Sequence, residues 1–326
     1  MKPFPIRVEK YNPMDYKFIE YELHNVCTYN CSFCSSDYKD GSKRWKTLEE
    51  YKSDIDKIIL AANGSPCFIQ LTGGEPTLFP DVIELMQYIR SKNAHIGMIS
   101  NGVRTIRWWK ELRDANVLDK LSLSFHSEQT SDYQKIIDIT LLFHDSPVNT
   151  LFLITHVGNT LKLAFEAFNA AKKQTGSIII VKAMMGQTNT YDPELQTLIE
   201  VFKNNTWTDG DLRRTKKLAN IPFKMGQLLK ITHENGDISR LDPQSLMKSK
   251  NNNFNGWTCY VGEDSMRINV DQVFRGVCGE GGITHLTTDP QLKFSTSPII
   301  CTKNSCFCGT DMVSTKVKTI ISNADK

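Results

Sequence analysis

Residues 23–36 read LHNVCTYNCSFCSS and place three cysteines, Cys27, Cys31 and Cys34, in one short segment. The chain contains nine cysteines in 326 residues, and five of the others lie after residue 258. The N-terminus has no apolar segment followed by a cleavage site, so we expect a cytoplasmic protein whose thiols stay reduced. Clustered cysteines in a reducing compartment indicate bound metal rather than disulfide bonds.

The composition is that of an ordinary globular protein, with 40% hydrophobic residues, 23% charged residues and a net charge of +3. This length allows one large domain or two smaller ones. So weak a net charge does not indicate a nucleic-acid partner. No apolar run approaches the roughly 20 residues that a membrane-spanning helix needs, so no membrane partner is expected either.

Residues 17–185 alternate short apolar strands with amphipathic helices. The predicted strands cover residues 17–23, 67–76, 95–102, 120–127, 149–157 and 177–185. The predicted helices cover residues 47–63, 80–92, 105–115, 131–143, with Ser131 as N-cap, and 159–176. Such alternation implies βαβ units and a parallel sheet that curls into an open or closed barrel. The units are too few for a full eight-fold barrel.

Two predicted strands separate apolar from polar side chains, because successive residues of a strand face opposite sides of the sheet. The apolar sets are Ile19, Tyr21 and Leu23 in the first strand, and Leu121, Leu123 and Phe125 in the fourth. The polar sets are Glu20, Glu22 and His24, and Ser122, Ser124 and His126. We expect the polar sets to face the barrel interior, which would hold a polar ligand or, alternatively, water.

The cysteine segment follows the first predicted strand with the spacing Cys27-x3-Cys31-x2-Cys34. Three thiolates can hold three irons of a 4Fe–4S cluster, which leaves the fourth iron open to another ligand. Structural zinc is the alternative, but it requires four closed ligands, and only His24 lies nearby as a fourth.

The segment CTYNCSFC resembles the cluster-binding motif of the radical S-adenosylmethionine (radical SAM) superfamily. This resemblance covers about residues 17–185 and implies an α/β fold, a partial (β/α)6 TIM-like barrel over residues 1–204. It also implies that Cys27, Cys31 and Cys34 hold a 4Fe–4S cluster whose open iron binds the amino and carboxylate groups of S-adenosylmethionine. Phe33 matches the aromatic position that lies against the adenine in that family.

Further matches to the family lie at the ends of the next three predicted strands. The motif LTGGEP at 71–76 contains the family's GGEP sequence, and SNG at 100–102 resembles another family pattern. Glycines let the backbone approach a ligand, while the Glu75 carboxylate and free backbone groups suit the amino end of S-adenosylmethionine. The resemblance implies cofactor contacts for Gly73, Gly74, Glu75, Pro76, Ser100, Asn101 and Ser124. Ser124 takes the position of a ribose-binding serine.

The second cysteine group lies in residues 205–326, which we predict to form a linker and a small C-terminal domain. Its cysteines are Cys259, Cys278, Cys301, Cys306 and Cys308. The pattern resembles the twitch and SPASM regions of radical SAM enzymes, including the hairpin predicted at 264–278. It implies one auxiliary 4Fe–4S cluster held by four of the five cysteines, with Cys301 or Cys308 to spare. A zinc ribbon is the alternative, and isolated Cys67 is expected to be a small buried residue.

The family resemblance implies a reaction. A reduced cluster cleaves S-adenosylmethionine to methionine and a 5′-deoxyadenosyl radical, which removes a hydrogen atom from a substrate. An auxiliary cluster suggests that the cluster anchors the substrate or that the substrate is then oxidised, a step that needs a base. Glu22, His126 and Lys182 are the candidates, although each could instead be a hydrogen-bonding liner. Glu20 is a further candidate for the base, and His156 and Arg267 are weaker candidates for substrate contact.

The expected partners are a small-molecule substrate and a reductant such as flavodoxin or ferredoxin. Only 16 residues precede the first predicted strand, which leaves no room there for a peptide-binding domain. A peptide- or protein-modifying enzyme is the first alternative. A non-catalytic iron–sulfur or zinc scaffold is the second, although such a scaffold would not need the GGEP turn.

Overall fold

The computed structural model describes residues 4–10, 16–144, 146, 149–156, 160–175, 178–185, 190–191, 229–241, 243–276, 278–289, 292–306 and 309–318. The chain divides into two compact units. The first, called here the barrel unit, comprises Tyr21–Ile55 and Phe68–Pro222. The second, called the three-segment unit, comprises Met1–Glu20, Asp56–Cys67 and Phe223–Lys326.

Strands and helices alternate through the first half of the chain. The first eight strands are β1 (Pro5–Lys10), β2 (Lys17–Glu22), β3 (Cys67–Thr72), β4 (His95–Ser100), β5 (Lys120–His126), β6 (Asn149–His156), β7 (Ile178–Met185) and β8 (Thr190–Tyr191). The helices between them are α1 (Leu48–Ala61), α2 (Val82–Ser91), α3 (Ile106–Ala115), α4 (Tyr133–Leu142) and α5 (Leu161–Thr175). The six strands and five helices predicted over this region are all present, with ends shifted by a few residues.

The barrel unit is built on a parallel sheet. Strands β2 to β8 lie side by side in chain order. Each strand from β3 to β6 pairs in parallel with the next one, and β8 adds antiparallel to β7. The predicted α/β partial barrel is confirmed.

The apolar faces of the strands pack as their alternation predicts. In β5, Leu121, Leu123 and Phe125 are fully buried, while Ser122 and Ser124 point to the opposite face. Strand β3 is buried at almost every position, as expected for a parallel strand covered on both sides.

The start of α4 differs from the prediction. Asp132 rather than Ser131 is the N-cap, and its carboxylate accepts a hydrogen bond of 3.2 Å from the Lys135 amide. Aspartate and serine are comparable N-caps, so two adjacent candidates can be separated only by the backbone geometry.

The three-segment unit is antiparallel. Its elements are β9 (Leu229–His233), β10 (Ile238–Leu241), α6 (Pro243–Lys248), β11 (Thr258–Cys259), β12 (Ser265–Asn269), β13 (Gln272–Phe274), β14 (Ile283–His285), β15 (Ile299–Ile300), α7 (Gly309–Met312) and β16 (Lys316–Val317). One sheet has the order β10-β9-β1-β16-β11-β15, and β12, β13 and β14 form a meander. The hairpin predicted around Asn235-Gly236 is confirmed as β9 and β10, and the one predicted at 264–278 as β12 and β13.

The compact units do not follow the predicted linear boundary between residues 204 and 205. Residues 1–20 and 56–67 group with the C-terminal part of the chain, and β1 was not predicted. The predicted linker at 204–217 lies outside the described residues. Among the residues that the structure describes, no helix has the length and apolarity needed to cross a membrane.

Candidate active site

A cavity of about 190 Å³ opens in the barrel unit, where β3, β4 and β5 end. This is the carboxyl edge of the parallel strands, where barrel enzymes place their ligands. The residues that line it are Cys27, Tyr29, Cys31, Phe33, Cys34, Tyr38, Lys39, Thr72, Gly73, Gly74, Glu75, Ile99, Ser100, Asn101, Ser124 and His126. All three cysteines of the quoted segment therefore share one cavity with most of the predicted cofactor contacts.

The three thiols lie close enough to influence one another electrostatically. Burial, followed by the charges of Glu128 and of the neighbouring cysteines, raises the pKa of the Cys31 thiol far above its ordinary value. Burial likewise raises the pKa of Cys27 and of Cys34. Thiolates become stable in such a place only beside a cation, and bound iron provides one. The donor set of this cavity fits a 4Fe–4S cluster with one open iron.

The two glycines of the GGEP turn lie directly against the segment that leads into Cys27. A Cβ atom on Gly73 would come within 2.4 Å of the His24 carbonyl oxygen, and one on Gly74 within 2.2 Å of the Val26 carbonyl oxygen. The Gly74 amide donates to His24 at 2.7 Å, and the Glu75 amide donates to Val26 at 2.8 Å. These two amides are occupied by the protein itself, so the expectation of free backbone groups is wrong for them.

The buried Glu75 carboxylate joins the ends of β3 and β4. Its Oε1 accepts hydrogen bonds from the Thr77 amide and hydroxyl at 3.1 and 2.6 Å, and from the Ser100 hydroxyl at 2.8 Å. Its Oε2 accepts one bond of 2.7 Å, from the Asn101 amide. Burial raises the pKa of Glu75 in spite of these bonds. Since a carboxylate has about four acceptor positions, two on each oxygen, Oε2 can still accept from a ligand in the cavity.

Aromatic rings form another wall of the cavity. The Phe33 ring stacks on His126 with a centroid distance of 5.5 Å, and Tyr29 meets His126 edge-on at 5.9 Å. Burial lowers the pKa of His126 to about 4. The imidazole is therefore neutral and a weak base near pH 7, which suits a flat wall better than proton abstraction.

A second cavity of about 250 Å³ lies in the three-segment unit. Four cysteines line it, Cys259, Cys278, Cys301 and Cys306, while Cys308 lies outside the described residues. Burial, and then the Asp311 carboxylate, raise the pKa of Cys278 to about 12. Four thiolates around a cavity fit the four irons of a closed cluster.

The described residues contain no group of three or more His, Cys, Asp or Glu side chains arranged to hold a metal ion. In a 4Fe–4S cluster each iron takes its own thiolate, so the ligands surround a volume rather than meet at one point. His24, which the sequence suggested as a fourth ligand for zinc, is not among the residues that line the barrel cavity.

Residues 21–201 match the family model described as the radical SAM superfamily. The chain belongs to the radical SAM superfamily. The curated radical SAM relatives include a probable GTP 3′,8-cyclase of Thermococcus kodakarensis, 29% identical over 36% of this chain and 37% of the relative. Another probable GTP 3′,8-cyclase, from Pyrobaculum aerophilum, is 24% identical over 52% of this chain and 54% of the relative. This chain therefore matches only about a third to a half of the length of these relatives.

Among solved structures, Streptococcus suis SuiB bound to S-adenosylmethionine resembles this chain with a TM-score of 0.54 and 14% identity. The likeness covers 85% of this chain and 65% of SuiB. At that identity it shows the fold alone. The predicted family and fold are confirmed, and the individual site residues remain predictions.

Not every predicted site residue lies in the barrel cavity. Glu22 is 5% exposed and does not line the cavity, although its charge contributes to the raised pKa of Cys34. Pro76 is buried at the start of a short 3-10 turn, Pro76–Leu78. The backbone of Lys182 lies in β7 opposite Thr155, and its side chain is outside the described residues.

The remaining candidates for the base or for substrate contact are not found among the residues that line the barrel cavity either. Arg267 and Glu20 face each other in the three-segment unit, with 3.9 Å between Nε and Oε1. The backbone of His156 lies in β6, and its side chain is outside the described residues.

The sequence did not predict a group of hydrogen bonds, called the brace here, that joins the cysteine segment to Glu128 and Gln129. Both the amide and the hydroxyl of Ser32 donate to the Glu128 carboxylate at 2.8 Å, and the Asn30 amide donates to the Gln129 side chain at 3.0 Å. The turn after β5 thus holds the loop between Cys27 and Cys34. The polar run after β5 carried no signal for this contact, because only the fold brings the two loops together.

Proposed function

We propose that this radical SAM protein removes a hydrogen atom from a small-molecule substrate and then oxidises the resulting substrate radical through an auxiliary 4Fe–4S cluster. One observation supports this most directly: a three-thiol cavity and a four-thiol cavity occur in the same chain. Three thiolates leave one iron of a cluster open, whereas four leave none.

In the barrel cavity, Cys27, Cys31 and Cys34 would hold the first cluster. When bound, this cluster supplies the electron that splits S-adenosylmethionine into methionine and the 5′-deoxyadenosyl radical. Glu75 is placed to accept a hydrogen bond from the cationic amino group, since within the described part of the chain its Oε2 receives one hydrogen bond, from the Asn101 amide. A cation also relieves the cost of a carboxylate buried without a charged partner.

Phe33, His126 and Ser124 line the rest of that cavity. The flat stack of Phe33 on His126 suits a purine ring, and the Ser124 hydroxyl suits a ribose hydroxyl. These side chains exclude water and orient the nucleoside, which positions the radical carbon against the substrate.

The four cysteines of the second cavity, Cys259, Cys278, Cys301 and Cys306, would hold the electron acceptor. A substrate that loses a hydrogen atom, then a proton and one electron, is oxidised overall by two electrons. With every iron bound to a thiolate, this site suits electron transfer rather than substrate binding. Each turnover begins with one electron from a reductant such as flavodoxin or ferredoxin.

The relatives support a small-molecule substrate, because the name GTP 3′,8-cyclase specifies a nucleotide. Anaerobic reconstitution should give about eight irons per chain, and dithionite with S-adenosylmethionine should yield 5′-deoxyadenosine. Failure of a fully loaded protein to cleave S-adenosylmethionine would contradict the enzyme and favour a scaffold.

The substrate class can be tested with extracts of cells grown in D2O, separated by size into metabolites and peptides. Deuterium should enter 5′-deoxyadenosine when the metabolite fraction is present. Transfer from the peptide fraction alone would contradict the proposal and establish the peptide-modifying alternative.

A further inference from the structure

The second cavity contains a buried cation that the proposed function does not use. Lys316 lines this cavity together with the four cysteines, and its side chain is only 1% exposed. In the antiparallel pair of β11 and β16, Lys316 lies directly opposite Cys259. Residues in that relation have Cβ atoms about 5 Å apart. The lysine is therefore a neighbour of a predicted cluster ligand.

The hydrogen bonds of Lys316 suit a charged ammonium group. Its Nζ donates to the backbone carbonyls of Asp311, Met312 and Ser314, the last two at 3.4 and 3.0 Å. Three donated bonds require three N–H groups, which an ammonium has and a neutral amine lacks. The ammonium also lies 5.0 Å from the Phe254 ring centroid. The cation is thus held in one place by the backbone and by an aromatic face.

Backbone carbonyls do not neutralise this charge. The ion pairs among the described residues include none to Lys316, and burial of an ammonium without a counter-charge is unfavourable. The Asp311 carboxylate also lines the cavity and accepts a hydrogen bond of 2.6 Å from the Cys278 amide, whereas the bond from the Lys316 ammonium goes to the backbone carbonyl of Asp311. The counter-charge that fits this arrangement is a cluster with four thiolates, which is an anion.

We propose that Lys316 is the counter-ion of the auxiliary cluster and raises its reduction potential. This inference rests on the proposed function, because it requires an iron–sulfur cluster in the second cavity. A reduced cluster carries one more negative charge than an oxidised one, so a fixed neighbouring cation stabilises the reduced form. Lys316 would thereby make the cluster a better electron acceptor for a substrate radical.

Lys303 provides a matched control at the same cavity. Its side chain is 48% exposed, and its Nζ lies 3.2 Å from the Glu280 carboxylate. Water and the partner carboxylate screen this charge, so removing it should change the potential far less.

The test uses full-length protein with Cys31→Ala and Cys34→Ala, so that only the auxiliary cluster is reconstituted. Lys316→Met, Lys316→Arg and Lys303→Met are compared by redox titration with electron paramagnetic resonance. Lys316→Met should shift the ratio of reduced to oxidised cluster at least about ten-fold towards oxidised, which equals a fall of about 59 mV for one electron. Lys316→Arg and Lys303→Met should each stay within about three-fold of the parent protein.

An unchanged potential in Lys316→Met would overturn the inference. If Lys316→Met takes up no iron, recovery of iron in Lys316→Arg would support the counter-ion role, and failure of both variants would indicate a packing role instead. Wild-type protein with only about four irons per chain would contradict the auxiliary cluster and this inference together. About eight irons with an unchanged potential would contradict this inference alone.

Discussion

The barrel cavity and the second cavity differ in their thiols and in the charges beside them. The barrel cavity has three cysteines next to the buried carboxylate of Glu75 and the neutral ring of His126, whereas the second has four cysteines next to the buried ammonium of Lys316 and the buried carboxylate of Asp311. The first arrangement leaves room for a cationic ligand at an open iron. In the second, Lys316 would compensate part of the charge of a closed cluster. Thiol number and local charge therefore indicate the same division of roles.

The largest effect should come from removing single cysteines. Cys27→Ala should lower iron from about eight to about four per chain and abolish formation of 5′-deoxyadenosine, because three thiolates are the minimum for the open cluster. Cys278→Ala should lower iron similarly but leave cleavage of S-adenosylmethionine in place. Iron analysis and product chromatography would distinguish the two.

Cys67→Ala is the control for these variants. Cys67 is 2% exposed and lines neither cavity, so its loss should leave both iron and cleavage unchanged. Equal loss of cleavage in the Cys27 and Cys278 variants would remove the distinction between the cavities.

The next largest effect concerns the carboxylate of the barrel cavity. Glu75→Gln removes the charge and sets an amide against donors such as Asn101, so S-adenosylmethionine should bind about 10- to 100-fold more weakly. Equilibrium dialysis with the reconstituted protein measures this affinity. Thr77→Val removes one donor to Glu75, the Thr77 hydroxyl, and keeps both the Thr77 amide bond and the charge of Glu75, so binding should change about three-fold or less. Similar losses in both variants would mean that the turn geometry, rather than the charge, holds the ligand.

Part of the loss of folding stability at low pH should arise from His24 in the barrel unit. Burial lowers the pKa of His24 to about 4, so the folded state binds this proton less readily than the unfolded chain does. Its contribution to stability is complete above about pH 6.5 and is lost as the pH falls towards 4, by about 1.4 kcal/mol for each pH unit. Urea unfolding of the cluster-free protein measures this slope, which should be shallower in His24→Gln. Equal slopes in the two proteins would contradict the prediction.

The smallest effect should come from the brace on the cysteine segment. Glu128→Ala removes both hydrogen bonds to Ser32 and should cost about 1–2 kcal/mol locally, seen as several-fold faster iron loss to a chelator. Glu111→Ala, which breaks an exposed pair with Arg107, should cost at most about 0.5 kcal/mol and leave iron loss unchanged. Faster loss from the second cavity in Glu128→Ala would show that the brace is not specific to the barrel cluster.

The sequence predicts those features that depend on neighbours along the chain. Strands β2 to β7 follow from alternation and short apolar runs, and the β9–β10 hairpin follows from Asn235-Gly236. The co-location of the GGEP turn with Cys27, Cys31 and Cys34 follows because parallel strands end at one edge.

Features that depend on distant partners were missed. Strand β1 pairs through Val8 with Ile231 and with Lys316, and no local pattern reveals such pairing. In the sequence, nothing distinguishes Lys316 from the other charged residues of a polar C-terminal segment. The pairing of β11 with β16 places it opposite Cys259. The amides of Gly74 and Glu75 were expected to be free because their partners, the carbonyls before Cys27, belong to another loop.

The three-segment composition of the second unit has a consequence for biosynthesis. Strand β1 leaves the ribosome first, but its pairing partners around Ile231 and Lys316 emerge roughly ten to sixty seconds later at typical translation rates. The last residue that lines the barrel cavity is His126, whereas the last residue that lines the second cavity is Lys316. All lining residues of the barrel cavity are therefore translated well before those of the second cavity. Strand β1 would need protection from pairing with other chains until β9 and β16 have been translated.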